Sequence, residues 1–357
     1  MTKHSTTIYW FWSEKFWLSN NLTWKDLENT AKRSYGQAGD LLWAVPLALL
    51  LFAVRVLFER FIAKRMGMKL NIPDAPHKRP SENKILEKVY ATITKKPDQE
   101  RLDGLCKQLD WKERQVQRWF RRRNRIERPT TLKKFCEGAW RFFFYFSSSI
   151  AGILIVYKEE FLWDTRRFFT NHPRDHQLIS SHYWYYMLEL SFYCALCFSQ
   201  FFDIRRKDFL EMFIHHIATI MLISFSYIAN FTKIGVAIML THDFSDVFLE
   251  FAKLAKYAKR KKLTTIGFIL LSITFVATRL VIFPFGIISS VWYEGMVILK
   301  PFSFALQILF CALLLLQVLH LYWFTHLLGV AYSTLFLGEN ERDSRSDSES
   351  STCEDDK

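Results

Sequence analysis

Seven stretches of the chain are apolar enough, and close enough to about 20 residues in length, to cross a lipid bilayer as helices. They cover 41–61, 140–157, 183–202, 209–227, 234–251, 265–285 and 302–328. Half of the chain is hydrophobic and 17% is aromatic, which is more than a water-soluble domain needs. Several stretches contain polar residues, so the count holds to within one. The sequence therefore predicts an all-α polytopic membrane protein with about seven transmembrane helices.

Lysine and arginine are concentrated on one side of these predicted spans. The basic residues that follow the first span over 60–79 outnumber those that closely precede it, and the basic loops 203–208 and 253–262 fall on the same side. Cytosolic loops of membrane proteins carry the excess of positive charge. We therefore expect a multi-pass protein with a lumenal N-terminus and a cytosolic C-terminus.

Changes in composition divide the chain into five segments. These are a lumenal N-terminal segment (1–40), the first transmembrane helix (41–61), a cytosolic helical insert (66–129), the main membrane domain (130–332) and an acidic, serine-rich cytosolic tail (333–357). The tail has no apolar pattern, so its composition predicts disorder. Ser344 and Ser346 each have an acidic residue three positions later, which makes them candidate phosphorylation sites; a merely solubilising tail is the alternative.

Two sequons differ in their predicted distance from the membrane. Asn21 begins the sequon "NLT" on the predicted lumenal side, well before the first span, and is a candidate for glycosylation. Asn230 begins "NFT" in a short loop against the membrane. We expect the second sequon to stay unmodified.

The insert resembles part of a homeodomain. Apolar residues recur at helical spacing over 98–129, and the dipeptide "WF" followed by arginines is typical of a recognition helix. However, Arg122 stands where a homeodomain carries its adenine-reading asparagine, and the insert is tethered behind a membrane span. We therefore expect no DNA binding. The arginines expected to face anionic lipid headgroups or a phosphate-bearing substrate are Arg121, Arg122, Arg123, Arg125 and Arg128.

Two predicted spans carry titratable residues in their cytosolic halves. Asp208, Glu211 and His215 follow one helix face, while His242, Asp246 and Glu250 follow one face of the next span and Asp243 lies close to it. At a rise of about 1.5 Å per residue, these groups lie at similar depth. Ionisable groups within a bilayer are costly and usually functional; a buried hydrogen-bond network that locks two helices together is the alternative.

The combination of histidines and carboxylates suits acyl transfer to an amine. A histidine beside a carboxylate takes a proton or attacks an acyl donor, and further carboxylates hold an ammonium group. The candidate catalytic residues are His215, His216, His242, Asp243 and Asp246, and the candidate substrate-binding residues here are Glu211, Glu250, Arg205, Arg206 and Lys207. Too few histidines lie together for a di-iron oxygenase, so we expect neither a metal nor a bound cofactor.

Several ordered motifs resemble the TLC domain of the ceramide synthases. They are "FDIRRKDF" (202–209), "HHIATIMLISFSY" (215–227), "THDFSD" (241–246) and "TRLVIFPF" (278–285), with the Hox-like "WFRRRNRIERPTTLKKF" (119–135) before them. The resemblance implies an enzyme of the endoplasmic reticulum membrane that transfers an acyl group from acyl-CoA, as co-substrate, to the amine of sphinganine or sphingosine. It also implies homo- or hetero-dimers.

The same resemblance implies roles for individual residues. His215 and His216 form the essential pair, and we assign His215 as acyl acceptor or general base. His242 and Asp243 then orient His215 or deprotonate the amine, and Asp246 lines the amine site.

The resemblance also implies that the lumenal loop at about 286–301 sets acyl chain length. Trp292, Tyr293 and Met296 are candidate chain-end contacts there, with interfacial anchoring as the alternative. Two other functions stay open: a non-catalytic lipid-sensing or translocation protein of TLC fold, and a membrane-tethered homeobox-like regulator.

Overall fold

The computed structural model describes residues 10–18, 22–31, 33–74, 80–127, 129–162, 164–174, 176–204, 206–300 and 303–336. Within these residues the regular structure is helical, apart from one isolated bridge between Thr30 and Arg33. The residues Asn21, Arg128, Arg205, Ser344 and Ser346, named above as candidates, lie outside the described ranges, and so does the side chain of Arg125.

The described residues contain seven long helices, one at each predicted span, and three shorter helices in the insert. The helices are α1 (Ala38–Lys69), α2 (Lys84–Thr92), α3 (Gln99–Leu109), α4 (Glu113–Ile126), α5 (Thr131–Val156), α6 (Ser180–Ser199), α7 (Phe209–Ile228), α8 (Thr232–Tyr257), α9 (Lys261–Ile298) and α10 (Phe304–Phe336). Helix α9 widens to a π-helical pattern over Val276–Ile288, around Pro284. Proline lacks the N–H that a continuous α-helix needs at this point.

Five helices are long and apolar enough to cross a membrane: α1, α5, α7, α9 and α10. Helices α6 and α8, at the third and fifth predicted spans, do not meet this criterion among the described residues. Both carry buried polar side chains, among them Glu189 in α6 and Asp243 in α8. The structure is therefore that of a multi-pass membrane protein with five crossings by length and composition, against about seven predicted from the sequence.

Helix α8 lies at the centre of the bundle, where it packs against α5, α6, α7 and α9. Its close approach to α6 depends on Gly235, because a Cβ added there would lie 1.5 Å from the hydroxyl of Tyr186. Helix α7 packs against α6 and α10, and α1 packs along α6. Small residues at such crossings let helix backbones approach each other closely. The titratable side chains of α7 and α8 therefore meet within one bundle.

The insert, α2 to α4, has a hydrophobic core of its own. This core contains Leu86, Tyr90, Leu102, Leu105, Val116, Trp119 and Phe120. Asn83 caps α2 by accepting from the backbone N–H groups of Ile85 and Leu86, and Asp98 caps α3. Such a core explains the helical spacing of apolar residues in this part of the sequence.

Arg123 of α4 belongs to this unit's internal contacts rather than to its outer basic face. Its guanidinium donates to both carboxylate oxygens of Glu87 and lies 4.7 Å from the ring centre of Tyr90. The hydrogen bonds from Arg123 lower the pKa of Glu87 from its ordinary value. Arg114, Arg118 and Arg121 are exposed along the outside of α4.

The second sequon asparagine is fully buried. The side chain of Asn230 has 0% exposure, and its Nδ2 donates to the carbonyl oxygen of His176 at 2.8 Å. In the folded chain this amide is enclosed by its neighbours, with no exposed atom to carry a glycan.

Candidate active site

A polar cavity opens where α5, α7, α8 and α9 meet the turn between α6 and α7. It encloses about 1140 Å³, including its open mouth. Its charged lining residues are Arg141, Asp203, Arg206, Asp208, Asp246, Glu250, Lys253 and Arg279. Acidic and basic groups are interspersed, so the cavity suits a ligand with charges of both signs.

Most carboxylates of α8 in this cavity already have a cationic partner. Asp246 lies 2.9 Å from a guanidinium nitrogen of Arg279. Glu250 lies 2.8 Å from the ammonium of Lys253 and 3.4 Å from Arg141. Pairing compensates much of the cost of placing charges in a low-dielectric interior. An incoming ammonium group would therefore compete with an arginine or a lysine for these oxygens.

His215 and His216 both line the polar cavity. His215 is 7% exposed, its ring centre lies 5.4 Å from that of Trp323, and its buried Nδ1 has no hydrogen-bond partner among the described residues. His216 Nδ1 lies 2.9 Å from Oε1 of Gln200. Side chains of adjacent helix residues point about 100° apart, but the cavity is wide enough for the rings of both His215 and His216 to line it.

His242 lies further into the bundle, in the lining of a second cavity, and both of its ring nitrogens form hydrogen bonds. Its Nδ1 lies 2.7 Å from the carbonyl oxygen of Ile238, which only accepts, so Nδ1 donates. In the neutral ring Nε2 then accepts, and His320 Nε2 donates to it at 3.1 Å. The sequence reasoning missed His320 of α10, although a histidine inside the last apolar run was a visible signal.

Arg279 of α9 connects His242 to Asp246. Its Nε donates to Ser245 Oγ at 2.9 Å, and its Nη2 donates to the carbonyl oxygen of His242 at 3.0 Å. The third contact is the ion pair with Asp246. One guanidinium therefore holds three polar groups within about one turn of α8, and its fork geometry suits this task.

Asp243 lies in neither cavity lining; it is 0% exposed and belongs to a closed cluster with Ser148 of α5 and Glu189 of α6. Ser148 Oγ lies 2.6 Å from Asp243 Oδ2, and it also contacts Glu189 Oε1. The remaining oxygens, Asp243 Oδ1 and Glu189 Oε2, are buried without a hydrogen-bond partner among the described residues. The sequence placed Asp243 with the other catalytic candidates, whereas the structure separates it from them. Glu189 was not singled out, although a glutamate within an apolar run is a signal of the same kind.

An apolar cavity of about 710 Å³ adjoins the polar one. Tyr193, Thr219 and His242 line its inner end, and Phe169, Phe231, Val291 and Leu306 line its far end. The ring of Tyr193 stands between the two cavities, with its centre 6.3 Å from those of both His215 and His216. A molecule with an apolar chain and a charged head therefore has a place for each part, with imidazoles at the junction.

Two of the remaining substrate candidates, Glu211 and Lys207, lie outside these linings. Glu211 accepts from the hydroxyl of Tyr322 at 3.3 Å, and Lys207 is exposed. Arg206 lines the polar cavity. Among the described residues, no group of three or more His, Cys, Asp or Glu side chains is arranged to hold a metal ion.

The three chain-end candidates lie outside the apolar cavity. Trp292 is 48% exposed and stacks on Phe310, and Tyr293 is 71% exposed. Met296 is not part of the lining, and Val291 of the same segment is. The π-helical turn at Val291–Gly295 directs these aromatic rings outward, as interfacial anchoring requires.

Two known domains match the sequence. The TLC domain matches residues 134–329, which include every residue that lines the two cavities, and the homeodomain matches residues 78–128. The second match corresponds to the insert with its separate core.

Ceramide synthases are similar to the chain over nearly its whole length. Human ceramide synthase 5 is 46% identical over 97% of this chain and 88% of its own length. Human ceramide synthase 4 is 41% identical over 96% of this chain and 86% of its own, and human ceramide synthase 3 is 39% identical over 95% and 88%. The cavities, the histidines at their junction and this similarity together lead to one conclusion: the chain belongs to the ceramide synthase family.

Proposed function

We propose that the junction of the two cavities is where this ceramide synthase joins its substrates. The enzyme transfers a fatty acyl group from acyl-CoA to the amine of a sphingoid base, sphinganine or sphingosine, and forms the corresponding amide. The observation that supports this placement is the contact of a polar, charged cavity with an apolar one across Tyr193, with His215 beside it.

Each part of acyl-CoA matches one cavity. The apolar cavity takes the acyl chain, and the polar cavity takes the charged head, where Arg206 and Lys253 offer cations to phosphate groups. The thioester carbonyl then lies near His215. The sphingoid amine approaches through the same polar cavity, where Asp246 and Glu250 offer carboxylates in exchange for their present partners.

The reaction forms a C–N bond and breaks a C–S bond. The amine nitrogen loses a proton as it becomes an amide, and the sulfur leaves as the thiol of CoA. His215 serves as acyl acceptor or as general base, and both roles use an imidazole nitrogen with a free lone pair. His242 and Asp243 fit a role in positioning other residues rather than in contacting substrate. His320 is hydrogen-bonded to the ring of His242, and Ser148 is hydrogen-bonded to the carboxylate of Asp243.

The orientation follows from the basic loops. The polar cavity opens beside Arg206 and Lys253, so we place its mouth at the cytosolic face of the endoplasmic reticulum membrane, where acyl-CoA is supplied. The N-terminus is then lumenal and the C-terminus cytosolic, and α6 and α8 complete a set of seven crossings. We place the exposed arginines of α4 against anionic lipid headgroups rather than DNA. Dimers with itself or with other ceramide synthases are consistent with this arrangement.

Amide formation by purified protein tests the proposal. Sphinganine and a panel of acyl-CoAs would be supplied to the wild type and to His215→Ala, with His326→Ala as a control that removes an imidazole outside both cavity linings. We expect amide from the wild type and the control, and at least about 100-fold less from His215→Ala, because general-base catalysis alone contributes that much. Intact amide formation by a folded His215→Ala protein would refute the assigned role.

A further inference from the structure

Gln200 connects the end of α6 to the start of α7 and to one histidine of the site. It directly follows the last residue of α6, and its side chain lines the polar cavity. Its Nε2 donates to the carbonyl oxygen of Phe209 at 2.6 Å, and its Oε1 lies 2.9 Å from Nδ1 of His216. Both ends of the amide therefore have a partner.

The directions of these two hydrogen bonds fix the protonation of the ring. A carbonyl oxygen only accepts, so the NH₂ end of Gln200 must face Phe209. The amide oxygen then faces His216 and accepts, so Nδ1 of His216 carries the proton. In the neutral ring the lone pair is consequently on Nε2. The opposite amide orientation would place two carbonyl oxygens against each other.

The other histidines at the junction are held differently. Nε2 of His242 accepts from His320, so its lone pair is occupied. Nε2 of His216 has no hydrogen-bond partner within the described part of the chain. The His216 ring borders the polar cavity beside Tyr193 and His215, at 6.3 Å and 5.9 Å between ring centres. Among the described residues, two cavity-lining imidazoles, His242 and His216, have a tautomer fixed by hydrogen bonds, and of these His216 is the one with a lone pair available to substrate.

We infer that Gln200 is a positioning residue that holds His216 as the general base for the sphingoid amine. This inference rests on the proposed function and divides the work within it: His215 faces the acyl group and His216 Nε2 takes the proton that the amine nitrogen loses. As the C–N bond forms, the C–S bond breaks, and the proton passes from His216 to the departing sulfur, which leaves as the thiol of CoA. His216 thereby returns to its starting tautomer.

The test compares two substitutions at Gln200 that differ in one property. Gln200→Met is close to glutamine in size but cannot accept from Nδ1, whereas Gln200→Glu keeps an acceptor there. Neither can donate to the Phe209 carbonyl, so the comparison isolates the bond to His216. Purified full-length variants would be assayed for kcat and KM with sphinganine and acyl-CoA. Elution as a single folded species in detergent would be checked first, with Gln200→Leu as a second variant that lacks the acceptor.

We expect Gln200→Met to lower kcat at least about tenfold, a fraction of what a general base contributes, and to leave both KM values within about twofold of wild type. Gln200→Glu should recover much of this loss. The double variant Gln200→Met with His216→Ala should be no slower than His216→Ala alone, because residues that act through one another are not additive. Gln317→Met, the same change in α10 outside both cavity linings, is the matched control.

Three results would overturn the inference while the proposed function stands: unchanged kcat in Gln200→Met, equal losses in Gln200→Met and Gln200→Glu, or additive losses in the double variant. Absence of amide from the wild-type protein would overturn both the proposed function and this inference.

Discussion

At the scale of single residues, a hydroxyl between two carboxyl groups joins three helices. Ser148 of α5 contacts Glu189 of α6 and Asp243 of α8, and all three side chains are buried. A hydroxyl has one proton, so it donates to one carboxyl oxygen at a time. Within the described residues neither carboxyl group forms an ion pair. Ser148 therefore offers a hydroxyl contact to two acidic groups in the bundle interior.

Replacing Ser148 by alanine should destabilise the bundle. Ser148→Ala removes the hydroxyl that the Asp243 and Glu189 oxygens share, so one of them loses its donor, and a buried polar atom left unsatisfied costs about 1–3 kcal/mol. We expect a lower midpoint of thermal unfolding in detergent. Ser147→Ala is the matched control, because Ser147 is exposed and its hydroxyl donates to the carbonyl of Phe143 in its own helix. Equal midpoints for Ser148→Ala and the wild type would contradict this account.

The sequence anticipated part of this arrangement and missed part for a geometric reason. His242 and Asp246 are four residues apart, which places them about 40° apart around the helix, so their common helix face was readable, although they line two adjoining cavities. Asp243 is turned about 100° from His242 and faces α5 and α6 instead. Glu189 and His320 were visible as ionisable groups in apolar runs. Their partners come from helices far away in the chain, and spacing along one helix carries no information about them.

At the scale of elements, the insert is a small helical unit held by polar contacts as well as by its core. Arg123 ties α4 to α2 through Glu87, and Lys95 pairs with Glu127 at 2.7 Å. The sequence predicted the helices here from apolar spacing, and they are present. It grouped Arg123 with the outward arginines, however, because a run of basic residues does not reveal which one turns towards an acidic neighbour.

The Arg123–Glu87 contact should make the insert's stability depend on pH. The pKa of Glu87 is lowered by hydrogen bonds from Arg123, so the contact's contribution is present above the ordinary carboxyl pKa and is lost as pH falls through the lowered value. We expect Arg123→Gln to weaken protection of α2 and α4 at neutral pH, measured by hydrogen exchange with mass spectrometry and corrected for intrinsic rates.

The effect of Arg123→Gln should be modest, since exposed ion pairs contribute about 0.2–1 kcal/mol. Wild type and Arg123→Gln should converge once Glu87 is protonated at low pH. Arg118→Gln, an exposed arginine on the same helix, controls for loss of charge. A constant difference between Arg123→Gln and wild type at every pH would argue against this contact as the cause.

At the scale of the whole molecule, the apolar cavity runs from the histidines towards the opposite end of the bundle. Its far end is closed by residues from three separate parts of the chain: Phe169, Phe231 and Val291, with Leu306 beside them. The family resemblance pointed to the segment 286–301 for the chain end, and of this segment Val291 lines the cavity whereas Trp292, Tyr293 and Met296 do not. A π-helical turn changes the angular spacing of side chains, so helical periodicity could not identify Val291.

Enlarging Val291 should shorten the acyl chains that the enzyme accepts. Val291 is 3% exposed and lines the far end of the apolar cavity, so Val291→Phe fills space that the chain terminus would occupy. We expect the product distribution from mixed acyl-CoAs, measured by mass spectrometry, to move towards shorter chains. Tyr293→Ala alters an outward ring of the same segment and should leave the distribution unchanged. A shift with Tyr293→Ala but not with Val291→Phe would place the chain end elsewhere.

The insert is tied to the bilayer at both of its ends. Helix α1 ends at Lys69 and α5 begins at Thr131, and the two junctions touch each other: Asp74 lies 3.5 Å from the Lys64 ammonium and accepts from the Thr130 hydroxyl at 3.4 Å. A unit clamped in this way never diffuses into bulk solution. Its encounters with headgroups would take place at an effective concentration that a free domain of equal charge does not reach. Contacts too weak to recruit a soluble protein would therefore be sufficient for the proposed placement of the α4 arginines at the membrane surface.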